Sequence, residues 1–196
     1  MVRRWAGVRP DPRLAIQESS DVYRPSDDSY LLLGAVSVAA GERFLEVGTG
    51  TGLIALHAAT TTDAVATDVN PAAVALARAN ARRNGLRLEV VRTDLMVGLR
   101  GPFDVVAFNP PYLAGMPSDS LDRAWHGGED GSEIAVRFLS DLPRVLEPEG
   151  RAYLLLNRAN SPARFLAETA FTARPVASKP LFFEQLEVLE LRERLE

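Results

Sequence analysis

Cysteine is absent from the 196 residues, which removes disulfides, thiol nucleophiles and thiolate metal sites together. Lys179 is the single lysine among 22 basic residues, a bias that reads first as the codon usage of a GC-rich genome and only weakly as chemistry. Histidine occurs twice, at His57 and His126, and no metal site is expected. Long apolar runs are missing as well. The longest, Leu31 to Ala40, is interrupted by Gly34 and Ser37 and falls far short of the roughly 20 residues that span a bilayer. After the basic Arg3 and Arg4 come Pro10, Asp11 and Pro12, where a signal peptide needs its apolar stretch. A cytoplasmic protein without membrane contact is therefore expected. Excess positive charge is lacking too: the net charge is −4, so nothing marks the whole chain as a nucleic-acid binder.

What is present is an ordinary globular composition, 46% apolar and 24% charged, on a chain long enough for one sizeable core. A single domain over 1–196 is expected, with residues 1–24 as an irregular arm and 25–196 as the core. A helix is expected after Pro25, with Ser26 as cap, Asp27 and Asp28 in its first turn and an apolar face through Tyr30, Leu33 and Val36. Arg43 to Val47 reads as a buried strand running into the turn Gly48-Thr49-Gly50-Thr51-Gly52, then a helix from Leu53 to about Thr60. Ala64 to Thr67 is a second strand, closed by Asp68. Asn70, Pro71 and Gly85 bracket the clearest helix. Strands follow at 86–91 and 103–108, then a long loop. A helix over 133–146 carries Ile134, Phe138, Leu142 and Val145 at helical spacing, kinked near its end by Pro143. A fifth strand at 152–156, a helix near 161–170 and a strand pair near 173–178 and 184–191 complete the chain.

Alternating strands and helices call for an α/β fold. The expectation is a doubly wound, seven-stranded, mostly parallel sheet with an antiparallel C-terminal hairpin, the Rossmann-like form of class I methyltransferases. In such sheets a ligand lies beyond the carboxyl ends of the strands. Gly48, Gly50 and Gly52 let the backbone turn tightly and approach a cofactor. Gly50, Gly52 and Ala55 with Asp68 downstream also satisfy a nicotinamide fingerprint. Glu46 weighs against it, since a pyrophosphate would meet negative charge there, whereas the ammonium and sulfonium of S-adenosylmethionine would be stabilised. Asp68, followed by Val69, is placed to accept ribose hydroxyls. Asp94, followed by Leu95, is placed to accept an adenine amino group. Either aspartate alone could equally be a turn former; the ordered set is what points to a cofactor.

Asn109-Pro110-Pro111-Tyr112 follows the fourth strand and emerges at that same edge. An amide or exocyclic amino nitrogen is a poor nucleophile because its lone pair is delocalised. Accepting its protons, with the Asn109 side-chain oxygen and the Pro110 carbonyl, aims the lone pair at a methyl group and stabilises the charge that develops. Pro110 and Pro111 stiffen the loop, and Tyr112 offers a flat face to a planar substrate. The product nitrogen is acidic enough to lose its proton afterwards, so no dedicated base is needed. A turn without chemistry is the bland alternative.

These motifs resemble those of HemK-type amino-nitrogen methyltransferases. The segment from Ser20 to Leu33 is similar to the start of the short archaeal and eukaryotic HemK branch, and Ala124 to Glu133 to the part that follows its catalytic loop. The resemblance implies S-adenosylmethionine as cofactor, S-adenosylhomocysteine as product, and methylation of the glutamine in the Gly-Gly-Gln loop of a class I peptide release factor. It also implies that Tyr23, Pro25 and Asp28 help cover the cofactor, and that a small zinc-binding activator assists. Only about 24 residues precede the first helix, so substrate recognition is expected from the loop 112–132, where Trp125 and Gly127 are candidate contacts, from the arm, or from a partner. His126 is expected to be a loop residue and His57 to serve helix packing. An exocyclic amine of adenine or guanine in RNA or DNA offers the same planar geometry and stays open as substrate. A catalytically silent methyltransferase fold serving as a partner subunit is the alternative of another class.

Overall fold

In the computed structural model of the chain, residues 10–112, 131–180 and 185–194 are described. In chain order the elements are α1 (Asp27–Ala35), β1 (Arg43–Val47), α2 (Leu53–Ala59), β2 (Asp63–Asp68), α3 (Pro71–Arg83), β3 (Glu89–Arg92), β4 (Phe103–Phe108), α4 (Glu133–Asp141), β5 (Leu146–Asn157), α5 (Ser161–Ala170), β6 (Phe171–Pro180) and β7 (Gln185–Glu193). The strands form one seven-stranded sheet in the order β3-β2-β1-β4-β5-β7-β6. β1 to β5 run parallel, and β7 is antiparallel to both its neighbours. The expected fold is thus the observed one.

Central strands are apolar on both faces because helices cover both. Phe44, Val105, Ala107 and Leu155 pack with α1, α2 and α3 residues, while Leu45, Val47, Val106 and Leu154 pack with Phe138 and Leu139 of α4 and Ala163 of α5. The order reverses between β1 and β4, since β2 lies on one side of β1 and β4 on the other. A crevice therefore opens at the carboxyl ends of these strands.

Local chemistry sets the boundaries. In α3 the Asn70 side chain accepts from Ala72 N–H at 2.9 Å and Pro71 takes the first position, where no backbone N–H is missed. Gly85, at φ +64°, ends it, and the Leu86 N–H returns to the Ala81 carbonyl at 3.0 Å. That bond keeps residue 86 on the helix exit, so β3 begins at Glu89 rather than 86. The helix expected to reach 146 stops at Asp141, and Leu142–Arg144 tighten into a 3₁₀ turn. Pro143 is the cause, having no N–H to bond and a ring that clashes with the preceding turn. Leu32 and Leu33 of α1 and its C-cap Val36 are buried but Tyr30 is 49% exposed; packed against β5, β6 and β7, this short helix buries the Leu32–Leu33 side instead of a stripe through Tyr30. β5 extends through Asn157, and the closing pair runs longer than its apolar pattern, with a bulge between Pro175 and Ala177.

Candidate active site

Gly48, Gly50 and Gly52 of the β1–α2 turn have φ of +65°, +55° and +85°. That is left-handed backbone, which a Cβ penalises. At Gly52 a Cβ would also stand 3.3 Å from the Ala77 Cβ of α3, so the glycine lets turn and helix touch. Two carboxylates brace the turn from beneath. Glu46, 5% exposed, accepts from the Ala55 N–H at 2.9 Å and from the Thr49 hydroxyl, which places its carboxyl at the start of α2, where unpaired N–H groups favour an acceptor. Burial pushes its carboxyl up to about 8, against the hydrogen bonds from Thr49 and Ala55 that favour the charged form. Asp68 accepts from Gly50 N–H at 2.9 Å through one oxygen and from Asn70 N–H at 2.8 Å through the other. Burial raises its pKa as well. The Val69 N–H bonds to Asp68 too, and of the roughly four acceptor directions of a carboxylate one remains.

Tyr23, Pro25, Asp28, Glu46, Gly48, Gly50, Asp68, Val69, Asp94, Leu95, Asn109, Pro110, Pro111 and Tyr112 all line one cavity of about 660 Å³. Gly52 closes the turn just behind that wall. Trp125 and Gly127 lie outside the described residues. At the far side, Asp94 holds Arg137 of α4 at 2.6 Å, both side chains half-exposed, so the adenine-facing carboxylate expected there already has a cation on one oxygen. Leu95, at φ +50°, is the one non-glycine residue with positive φ among those described; such strain persists where the surroundings impose it, most often at functional sites. A hollow of about 610 Å³ opens at the amino ends of the strands, lined by Arg43, Asp63, Arg82, Glu89 and others, and none of the motif residues reach it.

Asn109 is the chemically telling residue. Its Nδ2 donates to Asp28 Oδ2 at 3.0 Å. Because a carboxylate only accepts, this bond fixes which end of the amide is nitrogen. Oδ1 is left buried and accepts no hydrogen bond among the described residues, on a residue that lines the cavity. A buried acceptor without a donor costs about 1–3 kcal/mol, which an incoming N–H group would recover.

The arm and the loop neck were only partly foreseen. Asn80 of α3 and Asn84 at its C-cap exchange hydrogen bonds with the backbone of Gln17 and Ala15, and Asn70 donates to the Asp21 carbonyl. This row of asparagines holds residues 15–21 along α3, so the chain reaches the crevice at Val22 and Tyr23. His57 serves packing as expected: Nε2 accepts from the Asp11 N–H at 2.8 Å, so Nδ1 carries the proton toward the Leu53 carbonyl at 2.6 Å. Sequence reasoning missed Asn160 and Gly131. Asn160 donates to the carbonyls of Tyr112 (3.0 Å) and Gly131 (3.2 Å) and so draws together both ends of the 112–131 segment. At Gly131 a Cβ would meet the Tyr112 oxygen at 2.3 Å. Ser29, Thr67 and Ile134 also line the cavity; nothing in their spacing distinguishes them from ordinary core residues.

Fold and crevice together define a class, the S-adenosylmethionine-dependent methyltransferases of doubly wound topology. Within it, the chain belongs to the methyltransferase small domain family, whose model matches residues 24–183. Human methyltransferase HEMK2 is 37% identical over 164 residues, covering 75% of this chain and 77% of that protein. The release factor glutamine methyltransferase of Deinococcus radiodurans is 35% identical over 171 residues, covering 81% of this chain and 60% of that protein. Among solved structures, the E. cuniculi Mtq2–Trm112 complex, responsible for methylation of the eRF1 translation termination factor, matches with a TM-score of 0.71 and 28% identity over 89% of this chain and 99% of that chain.

Proposed function

We propose that this chain methylates the side-chain amide of glutamine in the Gly-Gly-Gln motif of a class I peptide release factor, using S-adenosylmethionine. The observation that carries the reading is the buried Asn109 Oδ1 with no donor among the described residues, set in the Asn-Pro-Pro-Tyr loop. Relatives whose names specify release factor glutamine support the substrate. The cavity fits the cofactor in chemistry as well as size: Glu46 and Asp68 present carboxylates toward one end of it, suited to an ammonium and to ribose hydroxyls. When bound, the cofactor supplies a methyl group on a sulfonium.

The residues of the chain do the rest. Asn109 Oδ1 and the Pro110 carbonyl accept the two N–H bonds of the substrate amide, turning its lone pair out of conjugation and stabilising the charge it acquires. Tyr112 lies against the planar group, and Pro110 and Pro111 hold the carbonyl in place. Glu46 faces the methionine ammonium, Asp68 the ribose, and Asp94 with Leu95 and Val69 the adenine. Tyr23 and Pro25, where the arm joins the core, cover the cofactor, while Trp125 and Gly127 belong to the substrate side. A small zinc-binding subunit assists, in keeping with the neighbour solved as a complex with Trm112.

Mass spectrometry of the host's class I release factor tests the substrate. The Gly-Gly-Gln glutamine is expected to carry one methyl group in wild-type cells and none after deletion of this gene. A methyl group that persists, or an unmodified glutamine in wild-type cells, overturns it; transfer of labelled methyl from S-adenosylmethionine into the RNA or DNA of a deletion-strain extract would move the substrate to an exocyclic base amine.

A further inference from the structure

Asp28 was expected to cover the cofactor, but its hydrogen bonds point elsewhere. The side chain is 2% exposed, and both oxygens are engaged. Oδ1 accepts from Ser26 Oγ at 2.8 Å and from Ser29 N–H at 2.6 Å. Oδ2 accepts from the Tyr23 hydroxyl at 2.8 Å, from Asn109 Nδ2 at 3.0 Å and, more weakly, from the Tyr112 hydroxyl at 3.4 Å. Little acceptor capacity remains for a ligand. The Oδ1 bonds are those of a first-turn helix residue and need no further explanation. The Oδ2 bonds do, since they reach across 81 residues to Asn109 and 84 to Tyr112.

We propose that Asp28 is a positioning residue for methyl transfer, fixing the Asn109 amide so that its oxygen alone is presented to the acceptor nitrogen. The inference rests on the reading of Asn109 given above. An asparagine amide is nearly symmetric in shape, and rotation about its last bond would exchange oxygen for NH₂. With NH₂ toward the substrate, two donors would meet and the acceptor nitrogen would not be oriented. Asp28 forbids that rotamer, because it would set Asn109 Oδ1 against a carboxylate. Donation to an anion is also stronger than to a neutral group and polarises the amide, leaving Oδ1 a better acceptor. Burial alone would raise the Asp28 pKa, but the bonds from Asn109, Tyr23, Ser26 and Ser29 hold it below the usual carboxylate range; the anion persists at neutral pH. Because Tyr23 shares Oδ2, the arm and the catalytic loop are tied to one atom, and Asn109 is oriented when the arm is seated.

The test compares Asp28→Asn, Asn109→Ala and the double variant. Two quantities are measured: transfer of labelled methyl from S-adenosylmethionine to total macromolecules of an extract from cells lacking this gene, and calorimetric affinity for S-adenosylhomocysteine. Asp28→Asn lets the amide turn, and should slow transfer about ten- to a hundredfold, the scale of a small misplacement of a reacting group. Affinity for S-adenosylhomocysteine should stay within about threefold, and in the Asn109→Ala background the same change should cost less than about threefold, since the group it orients is gone. Equal losses in both backgrounds, or cofactor affinity falling in step with rate, would overturn the proposal. Should Asp28→Asn not fold, or the wild type label nothing, the wild-type amide signal decides. The Asn109 side-chain NH₂ in a ¹⁵N spectrum is expected to show one strongly shifted, exchange-protected proton. Two freely exchanging protons overturn the assignment. Absence of any labelled acceptor counts against the proposed function alone.

Discussion

Asn109 and Glu46 stand at the two ends of the proposed chemistry, and each makes a separable prediction. Asn109→Ala removes the acceptor proposed to orient the substrate nitrogen but touches Glu46 and Asp68 not at all. Turnover should fall by about two orders of magnitude or more, the loss seen when one preorganised polar group is deleted, with calorimetric affinity for S-adenosylhomocysteine nearly intact. Near-normal turnover would reduce the tetrad to a turn. Glu46 predicts a pH dependence. In the free protein burial raises its carboxyl to about 8, so at neutral pH it is largely protonated, whereas a cationic cofactor favours the carboxylate. Binding must then release a proton, and affinity for S-adenosylmethionine should tighten on the order of tenfold between pH 6.5 and 8.5 by linkage. For folding the sign is opposite. A carboxyl raised above its unfolded value stabilises most below the unfolded pKa, and that contribution fades as pH rises through about 8. Titrations in buffers of different ionisation enthalpy count the proton directly; a flat affinity with no proton release would remove Glu46 from contact with the cation.

At the scale of elements, what was legible in the sequence was whatever depends on neighbours along the chain. Asn70, Pro71 and Gly85 marked α3 because caps act within one turn, and the glycine run marked the β1–α2 turn because left-handed backbone demands it. The crevice residues were legible as a set, since in a doubly wound sheet consecutive strand ends converge on one edge. What could not be read was pairing over distance. Asp28 looked like a first-turn carboxylate, and its bond to Asn109 exists only in the fold. Asn160 looked like a residue just before a helix, yet its amide bridges the carbonyls of Tyr112 and Gly131, far from each other along the chain. Asn160→Ala should therefore cost about 1–3 kcal/mol in chemical denaturation, because two carbonyls lose a buried donor. It should also raise KM for the macromolecular acceptor while leaving cofactor affinity unchanged. Unaltered KM would confine Asn160 to a structural role.

For the molecule as a whole, the exposed question is the β3 edge, where the sheet ends on the side of β2. The Thr93 N–H bonds to the Asp68 carbonyl at 3.1 Å, so by parallel alternation residues 90 and 92 turn their backbone groups away from β2. One of these outward groups is already occupied: Arg78 Nη2 donates to the Val90 carbonyl at 2.6 Å. The chain thus blunts its own edge with an arginine, a common device against edge-to-edge association, but a four-residue strand with outward N–H groups can still accept a partner strand. Two expectations follow from that balance. Expressed alone, the wild type should self-associate as concentration rises, and Arg78→Ala, which uncovers the Val90 carbonyl, should do so at lower concentration; sedimentation velocity reads both. Purified by a tag from its own host, the chain should bring a small subunit with it, and the pair should sediment as a single species that does not self-associate. A wild type that is soluble, active and alone at every concentration needs no such subunit. An Arg78→Ala variant no more prone to associate than wild type would mean that something other than this side chain protects the edge.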